Sequence, residues 1–212
     1  MHPAYSVILF TTASGAGYGL LALLGLTGAS HGAASSVAFG ATAMLLALGL
    51  ITVGLLSSTF HLGHPERAWR AASQWRTSWL SRELLALPAF MVLVILFGAA
   101  HFFELTEPMF VIKGQLPVDP TLILGVVGAF LSIVLFVSTA MIYASLRFLQ
   151  EWHSPLTVAN FLLFGLASGF TLAAAFSAWR GVALVGFFGV WAVIFTLLAA
   201  ITRGLSMYRN AR

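Results

Sequence analysis

Six apolar runs follow one another along the chain, separated by short stretches that carry nearly all of its charge. They fall at 5–27, 36–60, 83–104, 121–147, 155–178 and 181–202. Crossing a bilayer as α-helix takes about 20 apolar residues, and each run is long enough. In lipid the backbone must satisfy its own hydrogen bonds, which helices do and open sheets do not. The pattern therefore predicts an all-α integral membrane protein, a bundle of about six transmembrane helices forming one domain over 1–212. The fourth run is long enough to tilt or to extend past the membrane surface. The fifth and sixth are joined tightly around Trp179 and Arg180, which predicts an antiparallel helical hairpin.

Glycine adds contacts to this pattern. Gly15 and Gly19 form a GxxxG pair in the first run, and Gly165 and Gly169 another in the fifth. Small residues one turn apart let helix backbones approach closely. The stretch from Ser14 to Gly19 resembles a nucleotide loop only superficially, because it follows no strand and lies within a span.

Composition agrees with the pattern: 60% of residues are hydrophobic and 8% charged, against about a quarter charged in soluble domains. The mean hydropathy is +0.98 and the pI about 10.1. Ten basic residues scattered over membrane loops do not form the contiguous stripe that nucleic acid requires. The absence of cysteine excludes disulfides, thiolate metal sites and iron–sulfur ligation by these residues. No cleavable signal peptide is expected, since residues 1–5 lack a basic segment and the first apolar run is long.

Charge also predicts orientation. The N-terminus, the 61–82 loop, the 147–154 loop and the C-terminal tail share one side, which carries Arg67, Arg70, Arg76, Arg82, Arg147, Arg203, Arg209 and Arg212. The other side carries Lys113 and Arg180 beside Glu107 and Asp119. The positive-inside rule then places the N-terminus and the 61–82 loop in the cytoplasm.

That loop is where chemistry concentrates. Residues 61–83 hold four of the nine arginines, two of the six acids and two of the six histidines. Such a cluster between apolar helices suits a polar headgroup, a proton path or a soluble partner. His61 ends the second span and Glu83 opens the third, so both are expected at headgroup depth. A quinone gains two electrons and two protons at its two carbonyls, and its site needs a donor to each and a proton route. Histidine both gives and takes protons near neutral pH, and a carboxyl partly removed from water can relay them. Arg67, Arg70, Arg76 and Arg82 are placed to orient that carboxylate. Trp69, Trp75 and Trp79 offer either stacking walls or interfacial anchors. Ionisable groups at membrane depth are costly, so His61 and Glu83 stand first as functional residues.

Elsewhere the signals are weaker. His64 precedes Pro65 in a turn, His101 lies near the end of the third span, and His31 and His153 lie in loops. A haem between helices wants facing histidines deep in the spans, and none is central, so no haem is expected in this chain. His61 and His64 make a poor metal pair without a third ligand. Glu104, Glu107 and Asp119 read as a solvated loop on the opposite side, and Tyr143 as an interfacial tyrosine or a ligand donor.

The run His61-Leu62-Gly63, Pro65, Arg67-Ala68, Ser81 and Glu83 resembles the membrane-anchor subunit of the dimethyl sulfoxide reductase family. His2-Pro3-Ala4 with the following residues 6–12, Ser58-Thr59-Phe60, and Trp152 with Ser154-Pro155-Leu156 look closer to one branch, the membrane subunit of sulfite:quinone oxidoreductases. The resemblance implies a three-subunit complex of the bacterial inner membrane. A molybdopterin catalytic subunit acts on substrate, and an iron-sulfur subunit with four [4Fe–4S] clusters carries electrons. The anchor holds no redox centre and binds ubiquinone or menaquinone beside the nearest cluster. It also implies that His61 is the quinone-site histidine and Glu83 the essential acid, and Arg67 matches a family arginine. Arg70, Arg76 and Trp79 join the quinone-binding and proton-transfer set from local chemistry. Family anchors usually have about eight spans, so six implies a shortened sequence or a branch lacking the last pair.

The expected function is thus to pass electrons from cytoplasmic sulfite oxidation to the quinone pool. One alternative reverses the current, as a quinol-oxidising anchor of a dimethyl sulfoxide or polysulfide-type reductase. Another is a structural anchor with quinone bound elsewhere. A small transporter predicts mid-span acids, broken helices or inverted repeats, and the charge here is gathered at one edge instead.

Overall fold

The computed structural model describes residues 5–28, 37–60, 64–112 and 116–211. Each expected span is a helix: α1 (Tyr5–Gly28), α2 (Val37–Thr59), α3 (Trp79–Phe102), α4 (Pro120–Ala144), α5 (Pro155–Arg180) and α6 (Val185–Asn210). All six are long and apolar enough to cross a membrane. The protein is an all-α integral membrane protein.

Caps decide where these helices begin, and they shift the expected boundaries. The Ser78 side chain accepts from the Ser81 amide at 3.4 Å, so α3 opens at Trp79, a full turn before its apolar run. The Asp119 carboxylate accepts from the Leu122 amide at 2.9 Å, and Ser154 from the Leu156 amide at 3.2 Å, each followed by proline in the first turn. These side chains satisfy amides that have no partner within the helix. The α5–α6 hairpin turns at Gly181, whose φ of 68° is the left-handed conformation that glycine adopts without penalty. That turn delays α6 to Val185, and α6 then continues beyond the apolar run, where Arg209 donates to the carbonyls of Gln150 and Glu151.

Two polar connections carry structure that hydropathy does not reveal. The 61–82 loop contains a 3-10 helix over Pro65–Gln74 that packs on α3. Its carbonyl at Ala71 accepts from the Ser81 hydroxyl. The opposite loop, expected to be merely solvated, folds into an antiparallel hairpin of β1 (Phe110–Ile112) and β2 (Leu116–Val118), with Val111 opposite Pro117.

Helix α1 sits innermost, against α2, α4 and α5, with Leu20 and Leu21 fully buried. The same buried core includes Ile51, Phe90, Val94, Leu135 and Phe188. The two glycine motifs meet here. A Cβ built on Gly169 would lie 2.6 Å from the Gly19 backbone, and one on Gly19 would lie 2.7 Å from the Gly165 carbonyl oxygen. Close packing, the role expected of GxxxG, is therefore how α1 and α5 touch. Towards the arginine-bearing side their neighbours at Gly15 and Gly165 face the Phe136 ring instead of each other. The α1–α4–α5 junction opens in that direction.

Candidate functional site

The opening is a cavity of about 900 Å³, walled by α1, α4, α5 and α6 with Leu50 of α2 at one edge. That volume lies within the range of small-molecule and cofactor sites. Its lining surface is largely apolar, including Leu9, Ala13, Gly15, Phe136, Phe164 and Gly165. Helix α3 contributes one side chain to the wall, Glu83, the only carboxylic acid there among the described residues. Glu83 is 4% exposed, and the Thr139 hydroxyl of α4 donates to its Oε1. It also lies within electrostatic reach of Tyr18 and Tyr143. The early start of α3 produces this burial. Glu83 lies in the second turn rather than at the mouth of the helix, and it is buried within the bundle.

Further polar side chains face the same space. Ser14 and Tyr18, one turn apart on α1, are 1% and 2% exposed, and neither hydroxyl has a well-formed partner. Asn160 of α5 is 9% exposed and donates from Nδ2 to the Ser206 hydroxyl of α6 at 2.9 Å. Counted at about 1.5 Å per residue from the helix ends, Glu83, Thr139, Asn160 and Ser206 all lie about 6–8 Å inside the same side of the bundle. Arg203, one turn deeper on α6, also borders the cavity. Of the five buried side-chain atoms without a partner among the described residues, those of Ser14, Tyr18 and Asn160 belong to this one wall. An apolar pocket with a few converging polar groups is the arrangement that holds and orients a mostly apolar ligand.

The structure distributes the expected site residues unevenly. His61 lies outside the described residues. Arg67, Arg70, Arg76 and Trp79 do not line the cavity. Arg67 is exposed and sits 3.6 Å from Glu66, whose carboxylate also meets His64 Nδ1 at 3.0 Å. Arg70 and Arg76 lie over Trp69 and Trp75, with guanidinium-to-ring distances of 5.6 and 5.3 Å. Both tryptophans are exposed. Arg82 covers Trp79 at 4.2 Å and donates to the carbonyls of Trp75 and Arg76, each at 3.1 Å. Arg82 thus ties the turn after the 3-10 helix to the start of α3. The tryptophan and arginine pairs form an outward-facing layer, while the acid points inward.

The sequence does not mark Ser14, Tyr18, Thr139 or Asn160 as site residues. Only Asn160 carried a usable signal, as the sole asparagine within an apolar run, where an amide seeks a partner on another helix. Tyr143 stacks on Phe161 with ring centres 5.5 Å apart and meets the Trp152 edge. His153 donates from Nδ1 to the Ala144 carbonyl at 2.6 Å, fastening the 145–154 connection to the end of α4. His101 is buried against Phe97 near the far end of α3. Among the described residues no group of three or more potential metal ligands comes together.

Comparison with known proteins agrees with this architecture. The sequence is 55% identical over 217 aligned positions, covering all of it, to the C subunit of sulfite dehydrogenase from Allochromatium vinosum. It is 28% identical over 132 positions, covering 62% of it, to the C component of the anaerobic dimethyl sulfoxide reductase of Haemophilus influenzae. It spans 66% of the first relative's length and 43% of the second's. No solved structure matches. The DMSO reductase anchor subunit family (DmsC) matches residues 1–212, and the protein belongs to that family.

Proposed function

We propose that this protein is the quinone-binding membrane anchor of a molybdenum and iron–sulfur oxidoreductase in the bacterial inner membrane. In this reading it passes electrons from cytoplasmic sulfite oxidation to the quinone pool. The observation that carries it is the buried Glu83–Thr139 pair in the wall of a cavity of quinone size. A quinone in that cavity supplies two-electron, two-proton chemistry at its carbonyl oxygens. Glu83 holds or releases a proton at one of them, and Thr139 keeps its carboxyl turned into the cavity. Small residues such as Ala13 and Gly15 line the space for the ring, Gly165 seats the Phe136 ring of its wall, and the apolar remainder excludes water. His61, three residues ahead of the 64–74 segment, exchanges protons with the cytoplasmic side. Arg67, Arg70 and Arg76, gathered among exposed aromatic rings, offer a surface to the partner subunits. An iron–sulfur subunit carrying four [4Fe–4S] clusters and a molybdopterin subunit dock there. The sulfite assignment draws on the 55% identity to the sulfite dehydrogenase component.

The test is sulfite-dependent reduction of a ubiquinone analogue by the complex that copurifies with a tagged copy of the protein in mild detergent. Loss of a proton-transfer group typically slows a reaction by about a hundredfold or more, so Glu83→Gln is expected to fall by that order with the partners still attached. Wild-type turnover in both Glu83→Gln and His61→Ala complexes would overturn the proton assignment. Attached partners without sulfite activity would favour a sulfoxide- or polysulfide-type reductase instead.

A further inference from the structure

The bonding of Ser206 sets the orientation of the Asn160 amide. Ser206 donates its hydroxyl hydrogen to the Thr202 carbonyl of the preceding turn at 3.0 Å, so towards Asn160 it can only accept. The amide NH2 must therefore face α6, and Oδ1 faces away from it. That oxygen is buried and has no donor among the described residues, and Asn160 is one of the residues that line the Glu83 cavity. A buried acceptor without a donor costs free energy until a ligand supplies one. The cavity thus has two acceptor poles at one depth, the Glu83 carboxyl and the Asn160 carbonyl, contributed by α3 and α5.

We propose that Asn160 makes this cavity select the reduced, hydroxyl-bearing form of its ring ligand over the oxidised form. The inference rests on the quinone reading above. A quinol hydroxyl donates to Asn160 Oδ1, whereas a quinone carbonyl presents a second acceptor to it and gains nothing. Ser206 acts as the positioning residue, because its bond to Nδ2 prevents the amide from turning its NH2 towards a carbonyl. Asn160 therefore biases the bound pair towards quinol, and Glu83 is the group that exchanges the proton at the other pole.

The experiment is equilibrium binding of a short-chain ubiquinone and the matching ubiquinol, under argon and without sulfite, to the intact complex and its variants. Wild type is expected to hold the quinol more tightly. Losing one neutral hydrogen bond corresponds to roughly a twofold to tenfold loss of affinity. Asn160→Leu should lose that much for the quinol and nothing for the quinone. Ser206→Ala frees the amide to rotate and should raise quinone affinity, which a purely structural role for Ser206 would not do. It also decides the matter if Asn160→Leu fails to assemble. Unchanged ratios in both variants, or equal losses for both ligands, would overturn the role of Asn160 and leave the quinone site standing. If neither form binds wild type, the quinone reading itself fails, and this inference with it.

Discussion

Glu83 is a carboxyl taken out of water and given a single hydroxyl partner, Thr139, from the neighbouring helix. Leaving a buried polar group unpaired costs about 1–3 kcal/mol. Thr139→Val keeps the shape of the side chain and removes only the hydroxyl, so it isolates that contribution. It is expected to lower the thermal midpoint of the detergent-solubilised protein and to weaken quinone turnover, with Thr139→Ser restoring both. A Thr139→Val complex that matched wild type in both respects would show that Glu83 draws its support elsewhere. Glu83 was legible in the sequence because an acid within an apolar run is expensive and invites explanation. Thr139, Ser14 and Tyr18 were not. Hydroxyl side chains are common in membrane helices, where they also bond to their own backbone, as Ser168 does to the Phe164 carbonyl at 2.8 Å. Nothing in their spacing separates a cavity hydroxyl from such a one. The arginines near Glu83 make no ion pair with it among the described residues. Four of them close to Glu83 in sequence suggest a carboxylate partner, yet the early start of α3 sends the acid inward and leaves the guanidinium groups outside.

Among the elements, the α1–α5 contact is the most demanding. It brings Gly19 and Gly169 together so closely that neither has room for a methyl group. Gly169→Ala would place Cβ against the Gly19 backbone, which cannot rotate away as a side chain would. Overpacking of this kind costs about 1–3 kcal/mol. Gly204→Ala on α6 meets nothing within 4 Å and is a matched control. Its expected effect is neutral or a stabilisation of up to about 1 kcal/mol, since alanine is the better helix former. Thermal unfolding of both variants in detergent, followed by circular dichroism, distinguishes them, and equal midpoints would argue against a direct α1–α5 backbone contact. Because α1 and α5 also wall the cavity, Gly169→Ala should impair ligand binding while Gly204→Ala should not. The presence of six helices was legible from hydropathy alone. Their true ends were not, because caps at Ser78, Asp119 and Ser154 and the Gly181 turn act through local hydrogen bonding and backbone conformation. The short β1–β2 hairpin was missed for want of any period long enough to register.

For the whole molecule, the sulfite reading turns on which side of the membrane carries the arginine-rich edge. These 212 residues contain no cysteine, so single-cysteine reporters can be placed among them without a competing thiol. Ser73→Cys in the 3-10 helix and Glu107→Cys in the opposite loop occupy opposite ends of the bundle. If the 61–82 loop is cytoplasmic, a membrane-impermeant maleimide added to spheroplasts should label Glu107→Cys and spare Ser73→Cys until the membrane is permeabilised. The reverse pattern would put the docking face outside and exclude a cytoplasmic sulfite-oxidising partner.

What the sequence determined by itself was the solvent and the scaffold: apolar runs of bilayer length, their number, the small residues that let two of them meet, and the sided distribution of arginine. These follow from properties summed over many residues, and lipid imposes them on any polypeptide of this composition. Membership of the anchor family was legible for a similar reason, through motifs contiguous in the sequence. The tertiary structure alone decided that Gly15 and Gly165 meet the Phe136 ring where Gly19 and Gly169 meet each other, that Glu83 turns inward to Thr139, and that Asn160, bonded to Ser206, lines the same cavity. Each of these depends on the relative rotation and height of helices distant in sequence. A rotation of one helix by a single residue position, about 100°, would move any of these side chains from the cavity to the lipid, and no local pattern records that angle.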